Sequence, residues 1–154
     1  MVREQKKQIE PNTTRLAAIR VRGITQIHSD IAKTLTQLRL YRKNYCYVFP
    51  NNPTYEGMIR KAKDYITWGE IDEETYNLLV QKKGEEFKGD EQDAKGLIPS
   101  NDFVTINGKK IKKFFRLSPP KGGFEKKGIK HTYTNGGAIG YRGAEVNKLI
   151  KRML

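Results

Sequence analysis

The side chains best suited to binding another molecule lie in a basic segment between Arg116 and Lys130. Its paired prolines hold the backbone extended, and Gly122 and Gly123 allow the main chain to approach another surface closely. Phe124 offers a flat ring to a base or sugar. Four lysines supply charge for phosphates: Lys121, Lys126, Lys127 and Lys130. A segment with so few apolar residues lacks the means to fold alone, so we expect it to become ordered along RNA. The alternative is a solvated loop.

The charge of the chain points in the same direction. Its 154 residues include 30 Lys or Arg and 17 Asp or Glu, which gives a net charge of +13. Residues 70–93 hold nine acidic residues against three lysines, so the rest of the chain carries +19. A field this one-sided needs a polyanion nearby, and nucleic acid is the usual one. A solubilising surface or thermophilic lysine enrichment would instead intersperse the signs, whereas residues 109–130 carry nine basic residues against one Glu.

The sequence lacks the short motifs of common enzyme sites. It has no Gly-Lys-Ser/Thr phosphate loop, no dinucleotide-binding glycine fingerprint, no His-Glu-x-x-His and no Gly-x-Ser-x-Gly. Neither His28 nor His131 has an obvious nucleophile or carboxylate partner in sequence, and Cys46, between two tyrosines of a predicted strand, is expected to be a small packed residue. One cysteine excludes an internal disulfide and, with only two histidines, makes a zinc cluster untenable. We therefore expect no catalytic residues, cofactor, metal or small-molecule substrate.

The apolar content predicts a soluble protein with a modest core. Only 36% of the residues are hydrophobic, and no apolar run approaches the ~20 residues that span a bilayer. Residues 1–25 contain no apolar stretch of the signal-peptide kind. We expect an intracellular protein with no membrane partner, part of which lies against another molecule.

Periodicity predicts an alternation of strands and helices after an irregular arm at residues 1–14. Leu16 to Val21 suits a strand, with Arg20 and Arg22 on the face opposite Ile19 and Val21. A helix follows, with Ser29 as its expected N-cap.

The next strand covers Tyr45 to Phe49, and Thr54 is the expected cap of a second helix. Residues 66–69 offer a third short strand. A third helix has the clearest boundaries, with Asp72 at its N-cap and Gly84 just past its end.

The remaining residues predict a linker, a hairpin and a basic extension. Residues 85–98 are charged, and Asn107-Gly108 between two strand-like runs is a strong hairpin signal. Phe114 to Leu117 suits a strand, residues 118–143 favour no long element, and the last eleven residues return to helical periodicity. We expect four parts: an arm at 1–14, a core with the third helix at 15–84, a linker and hairpin at 85–113, and an extension at 114–154.

Five segments resemble the signature segments of one ribosomal protein family. They read LAAIRVRG (16–23), TLTQLRLY (34–41), YEGMIRKAKDYITWGE (55–70), FRLSPPKGGFEKK (115–127) and NGGAIGYRGAEVNKLIKRML (135–154). Together they are similar to the universal large-subunit ribosomal protein numbered thirty in bacteria and archaea, whose longer eukaryotic relative is numbered seven. The basic C-terminal extension resembles the archaeal long form.

The resemblance implies an α+β fold: a ferredoxin-like β-α-β-α-β core with an antiparallel sheet, a third helix, and an irregular basic C-terminal extension ending in a helix. It also implies a structural constituent of the large subunit of cytoplasmic ribosomes, which stabilises large-subunit rRNA and supports assembly and translation. The implied partners are that rRNA, with 5S rRNA as a further candidate, and neighbouring large-subunit ribosomal proteins. Residues 85–113 depart from the family, whose archaeal and eukaryotic members usually carry helical inserts there.

The expected mechanism is scaffolding, in which basic residues at helix and strand ends neutralise phosphates where RNA segments converge. The candidate RNA-binding residues are Arg20, Arg22, Arg39, Arg42, Lys43, Arg60, Arg116, Lys121, Gly122, Gly123, Lys126, Lys127, Lys130 and Arg142. One rival is an RNA-processing or RNA-modifying enzyme with the same basic surface. Another is a DNA-binding domain, although the sequence has no helix-turn-helix spacing or dimer seam.

Overall fold

The computed structural model describes residues 14–88 and 103–154. Four helices are α1 (Ser29–Gln37), α2 (Pro53–Lys61), α3 (Glu73–Lys83) and α4 (Val146–Met153). Seven strands are β1 (Arg15–Arg20), β2 (Tyr45–Pro50), β3 (Ile66–Glu70), β4 (Phe103–Ile106), β5 (Lys109–Lys112), β6 (Phe114–Arg116) and β7 (Gly140–Tyr141). Most of the expected arm at 1–14 and part of the expected linker lie outside the described residues.

Five strands form one sheet in the order β6-β2-β1-β3-β7. β1 lies at its centre and pairs antiparallel with both β2 and β3, so that Ile19 lies opposite Cys46 on one side and Thr67 on the other. β6 extends the sheet antiparallel to β2, whereas β7 runs parallel to β3. The ferredoxin-like antiparallel core is therefore confirmed, and β7 makes the complete sheet mixed.

Alternation along β1 builds two cores, one on each face of the sheet. Leu16 and Ala18 pack against α1 and α2, and their cluster includes the buried Leu35, Leu38 and Ile59. Ala17 and Ile19 point the other way and contact buried apolar residues of α3 and α4. Those residues are Leu79, Val146, Leu149, Ile150 and Met153. The central strand is covered on both faces, which is why the residues between Arg15 and Arg20 are all apolar.

The C-terminal extension is part of this sheet and of its second core. Its strands β6 and β7 form the two outer strands, and α4 buries its apolar stripe beside α3. The expected helix over the last eleven residues is confirmed as α4. The expected division of the chain into four parts, at residues 14, 84 and 113, stays a prediction.

The helix caps differ from expectation at two of three places. The N-cap of α1 is His28 and not Ser29, and its Nδ1 accepts a hydrogen bond from the Asp30 backbone N–H at 3.3 Å. The N-cap of α2 is Asn52 and not Thr54, because Pro53 suits the first position of a helix and the Asn52 side chain accepts from the Tyr55 N–H. Asp72 is the N-cap of α3, as expected.

The hairpin signal at 107–108 is confirmed by β4 and β5. Asn107 and Gly108 have φ values of 50° and 77°, the left-handed region that a two-residue hairpin turn of this kind requires. Residues 85–87 pair with the free side of β5: the Phe87 N–H donates to the Lys110 carbonyl at 2.9 Å. The hairpin is thereby tied to the end of α3.

Candidate nucleic-acid interface

The topology brings several loops to the same edge of the main sheet. β1 and β6 end at this edge and β2, β3 and β7 begin there, because β1 is antiparallel to β2 and β3. Backbone hydrogen bonds show that the loops at this edge contact one another. The Asn44 N–H donates to the Arg20 carbonyl at 2.8 Å, the Val21 N–H to the Tyr65 carbonyl at 2.9 Å, and the Leu117 N–H to the Asn44 carbonyl at 3.1 Å.

Three helices end at the same edge. α2 leads directly into Tyr65, and the Ser118 N–H donates to the Met153 carbonyl of α4 at 3.0 Å. Lys83 at the end of α3 donates through Nζ to the Ser118 hydroxyl at 3.3 Å. Helix C-termini carry partial negative charge and favour cations. We call this region the basic edge: loops 21–24, 39–44, 62–65 and 117–139 with the C-terminal ends of α2, α3 and α4.

Most of the exposed cations of the described chain meet at the basic edge. Those exposed to solvent are Arg42, Lys43, Arg60, Lys61, Lys63, Lys82, Arg116, Lys121, Lys126, Lys127, Lys130 and Lys151, with Arg22, Arg39, Lys83 and Arg152 half-buried. Three carboxylates also lie there. Asp64 is exposed, while Glu85 and Glu125 are paired with arginines.

Acidic residues collect at the opposite edge of the sheet. β3 ends there at Glu70, and α3 begins there with Glu73 and Glu74 in its first turn. α4 also begins there: Asn147 accepts from the Asp72 N–H at 2.9 Å and donates to the Glu70 carbonyl at 3.1 Å. Helix dipoles favour this arrangement at both ends. The molecule is thus polarised, with the basic edge facing one way and the N-termini of α3 and α4 facing the other.

Three predicted arginines at or near the basic edge are partly engaged with neighbours. Arg22 lies over the Tyr65 ring at 5.1 Å, and Arg39 lies over the Tyr47 ring at 5.6 Å. Arg60 pairs with Glu56 one helical turn away at 2.9 Å. All three keep exposed surface, so a phosphate can still reach them.

Arg20 lies inside the protein, and the expectation that it faces RNA needs correction. Its face of β1 is covered by α1 and α2, which leaves the residue 3% exposed. The guanidinium donates to the Leu40, Tyr41 and Arg22 carbonyls at 2.7, 3.1 and 2.9 Å. Burial lowers its pKa, and the nearby Tyr65 opposes that change. Arg20 therefore holds the loop after α1 in place.

Arg142 is also buried, at 5% exposure, and joins three segments of the chain. Its Nε donates to the Thr67 hydroxyl at 2.8 Å, Nη2 to the Ala138 carbonyl at 2.9 Å and Nη1 to a Glu125 carboxylate oxygen at 3.2 Å. Its guanidinium lies over the Tyr133 ring at 4.8 Å. Burial lowers its pKa, and the Glu125 carboxylate partly offsets this. Here too a predicted surface contact is replaced by an internal one.

The basic segment after β6 is folded by its own contacts, in contrast to the expectation that RNA alone would order it. Besides the Arg142 contacts, Arg152 donates to the Gly123 carbonyl at 3.0 Å, and the Lys127 N–H donates to the Gly136 carbonyl at 3.3 Å. Phe124 is half-buried among Val21 and the residues before β7, so its ring packs inward and is not presented as a flat surface. The lysines of the segment remain exposed.

Arg116 lies beside a shallow cleft of about 360 Å³ between β6 and the end of α3, lined also by Lys82 and Lys83. Its Nε donates to the Glu85 carboxylate, which forms a second ion pair with Lys112, whose Nζ lies 3.2 Å from Oε2. Partial burial would raise the pKa of Glu85, but the hydrogen bonds from Arg116 and Lys112 together hold it below its usual value. The same carboxylate raises the pKa of Arg116.

Cys46 and His28, two of the three residues considered for catalysis, have structural roles. Cys46 is fully buried in the sheet, and burial raises the pKa of its thiol to about 12, so it stays protonated at neutral pH. His28 caps α1. Within residues 14–88 and 103–154, no group of three or more His, Cys, Asp or Glu side chains is arranged to hold a metal ion. No helix in this part of the chain is long and apolar enough to cross a membrane.

Sequence reasoning missed several cations of the basic edge. They are Lys61, Lys63, Lys82, Lys83, Lys151 and Arg152. Four of them occupy the last turn of α3 or α4, where their fit to the helix dipole explains them without any ligand. The missing signal was topological: strand order shows that these helix ends lie together.

The fold and the charge distribution define a class of small α+β protein in which helices cover both faces of a sheet and cations gather at one of its edges. The chain belongs to the ribosomal protein L30p/L7e family, whose family model matches residues 16–66. It is 46% identical over 153 residues to the large ribosomal subunit protein uL30 of Nanoarchaeum equitans, which covers 90% of this chain and 97% of that protein. It is 40% identical to uL30 of Methanosphaera stadtmanae and 37% identical to uL30 of Methanopyrus kandleri, covering 99% and 100% of those proteins.

Proposed function

We propose that this protein is a structural constituent of the large ribosomal subunit and that its basic edge binds large-subunit rRNA. The observation that carries the proposal is the convergence of exposed cations from four loops and three helix ends, while acidic residues collect at the other ends of the helices. Several phosphates brought together by folded RNA would match such a surface. The relatives named as large ribosomal subunit proteins support the same role.

The proposed contacts are those predicted residues that keep exposed surface. They are Arg22, Arg39, Arg42, Lys43, Arg60, Arg116, Lys121, Lys126, Lys127 and Lys130, with Gly122 and Gly123 allowing close approach of the main chain. Arg20 and Arg142 support binding indirectly, because each hydrogen-bonds to a loop that carries exposed cations. The protein acts by binding and not by catalysis. 5S rRNA and neighbouring large-subunit proteins are further proposed partners, and the cytoplasmic ribosome is the proposed location.

Salt dependence of rRNA binding tests the proposal. If about six to ten phosphates are contacted, the affinity for transcribed large-subunit rRNA should fall by roughly 10³–10⁵ between about 50 and 200 mM salt. Lys126→Gln should reduce the slope of log affinity against log salt by about one. Lys148→Gln removes the same charge from the first turn of α4, beside Glu145, and should leave the slope unchanged. An affinity that barely responds to salt, or equal effects of the two variants, would refute the basic edge as the interface.

A further inference from the structure

An exposed tyrosine at the basic edge rests against two aromatic rings. Tyr41 is 44% exposed and meets the Phe114 ring edge-to-face at 5.5 Å between centroids and the Tyr45 ring at 6.4 Å. Phe114 and Tyr45 stack on one another at 5.4 Å with an angle of 5° between their planes. Lys112 covers the Phe114 ring, with its Nζ 5.7 Å from the centroid. Tyr41 is thus the most exposed ring of this cluster.

The backbone beneath Tyr41 is held by the buried Arg20. The same guanidinium nitrogen donates to the Leu40 and Tyr41 carbonyls, and the carbonyl of Arg20 accepts from the Asn44 N–H. The loop that carries the ring is therefore fixed at both ends against the central strand. A ring held in this way loses little conformational entropy when a flat ligand stacks on it.

The surroundings of the ring are cationic. Arg42 and Lys43 follow Tyr41 directly and are exposed, and Arg116 lies opposite Tyr45 in the sheet, paired with Glu85. An apolar protein surface would have to desolvate these charges, whereas a nucleotide supplies a flat base for the ring and a phosphate for the cations. The charge therefore favours single-stranded RNA over a protein as the occupant.

We infer that Tyr41 is a stacking platform for one unpaired base of RNA, with Arg42 and Lys43 binding the adjoining phosphates. The inference rests on the proposed RNA-binding function and specifies one contact within it. Stacking on an aromatic ring tolerates any base, so this contact recognises the absence of pairing and not the sequence.

The test compares two RNA probes against the full-length chain at low salt. One is a single-stranded oligoribonucleotide with 2-aminopurine at its centre, and the other is the fully paired duplex of the same length. Tyr41→Leu should weaken binding of the single strand by about 5- to 100-fold and abolish the quenching of 2-aminopurine fluorescence. Its effect on the duplex should be less than about twofold, because a paired base does not reach the ring.

Tyr141 provides a matched control. It is 51% exposed, but its hydroxyl donates to a Glu70 carboxylate oxygen at 2.6 Å, a setting that repels phosphate. Tyr141→Leu should leave both affinities unchanged. Tyr41→Trp keeps a flat ring and should bind the single strand at least as tightly as the original chain, which separates stacking from damage to the fold.

Three results would overturn the inference: equal binding by the Tyr41→Leu and Tyr141→Leu variants, equal weakening of single strand and duplex by Tyr41→Leu, or loss of single-strand binding by Tyr41→Trp. If the original chain binds rRNA with the expected salt slope in any of these cases, the proposed function stands and only the stacking contact fails. If the original chain binds neither probe nor rRNA at low salt, both are wrong.

Discussion

Replacing Arg142 by Met is the most direct test of how the basic segment is held to the sheet. The methionine side chain fills much of the same space but donates no hydrogen bond. Arg142→Met therefore removes the links to Thr67 in β3, to the Ala138 carbonyl and to Glu125 while keeping most of the packing. The variant should have a lower free energy of unfolding, and residues 118–139 should be held less firmly against the sheet.

The expected decrease in the free energy of unfolding follows from those three hydrogen bonds. The two bonds to neutral acceptors contribute about 1 kcal/mol each and the bond to a carboxylate about 1.5–3 kcal/mol, which agrees with the ~3–5 kcal/mol lost when a buried ion pair is broken. Glu125 remains 29% exposed and keeps Arg152 at 3.7 Å, so it is not left isolated. We therefore expect Arg142→Met to lower the free energy of unfolding by about 3 kcal/mol, the lower end of the range for a broken buried ion pair.

Urea unfolding of the full-length chain at neutral pH measures this loss. At the slopes usual for small proteins, about 3 kcal/mol moves the midpoint by about 1 M or more. Limited proteolysis reports the local effect, as faster cleavage after the lysines of residues 121–130. Arg60→Met is the control, because Arg60 is exposed and its helical ion pair with Glu56 contributes only about 0.3–0.5 kcal/mol. Equal stability of the two variants, with no change in cleavage, would refute the structural role assigned to Arg142.

Two further predictions concern close packing and pH. Gly69→Ala should destabilise the chain in thermal or urea unfolding, because the new Cβ would lie 1.9 Å from the Gly143 carbonyl oxygen. Gly57→Ala is the control: this residue of α2 has open space around it, so the change should stabilise the chain by about 0.5–1 kcal/mol. A Gly69→Ala variant as stable as the original chain would contradict the close approach of the two backbones. Because the pKa of Glu85 is lowered in the folded chain, its ion pairs stabilise the fold above the ordinary carboxyl pKa, and this contribution disappears as the pH falls through the lowered value. The stability difference between the original chain and Glu85→Gln should therefore shrink from about pH 6 to about pH 2, and a difference that stays constant would exclude the pairing.

Elements whose signals are local could be predicted from the sequence. α3 begins after Asp72 with two glutamates in its first turn, and α4 places four apolar residues on one stripe. The hairpin turn at Asn107 and Gly108 depends only on the φ values those two residues adopt readily. The caps of α1 and α2 were misplaced by one and two residues, because neighbouring polar side chains compete for the same backbone donors.

The sequence predicts the type of partner for the candidate interface but not all of the residues that form it. The excess of lysine and arginine indicated a polyanionic partner, and the lysines of residues 121–130 are exposed as that requires. The burial of Arg20 and Arg142 cannot be predicted from the sequence, because their partners are distant along the chain: Tyr41 lies 21 residues from Arg20, and Thr67 lies 75 residues from Arg142. Phe124 turned inward for the same reason, since Val21 and Ile139 complete its pocket.

The order of most strands and helices, the family and the sign of the net charge can all be predicted from residues taken in order along the chain. Which cations lie together, and which arginines are buried inside the protein, depends on contacts between distant segments. β1 runs antiparallel to both neighbours, so the strand ends and helix ends that carry the cations come to one edge. The buried Arg20 and Arg142 therefore donate to carbonyl, hydroxyl and carboxylate oxygens of the chain itself.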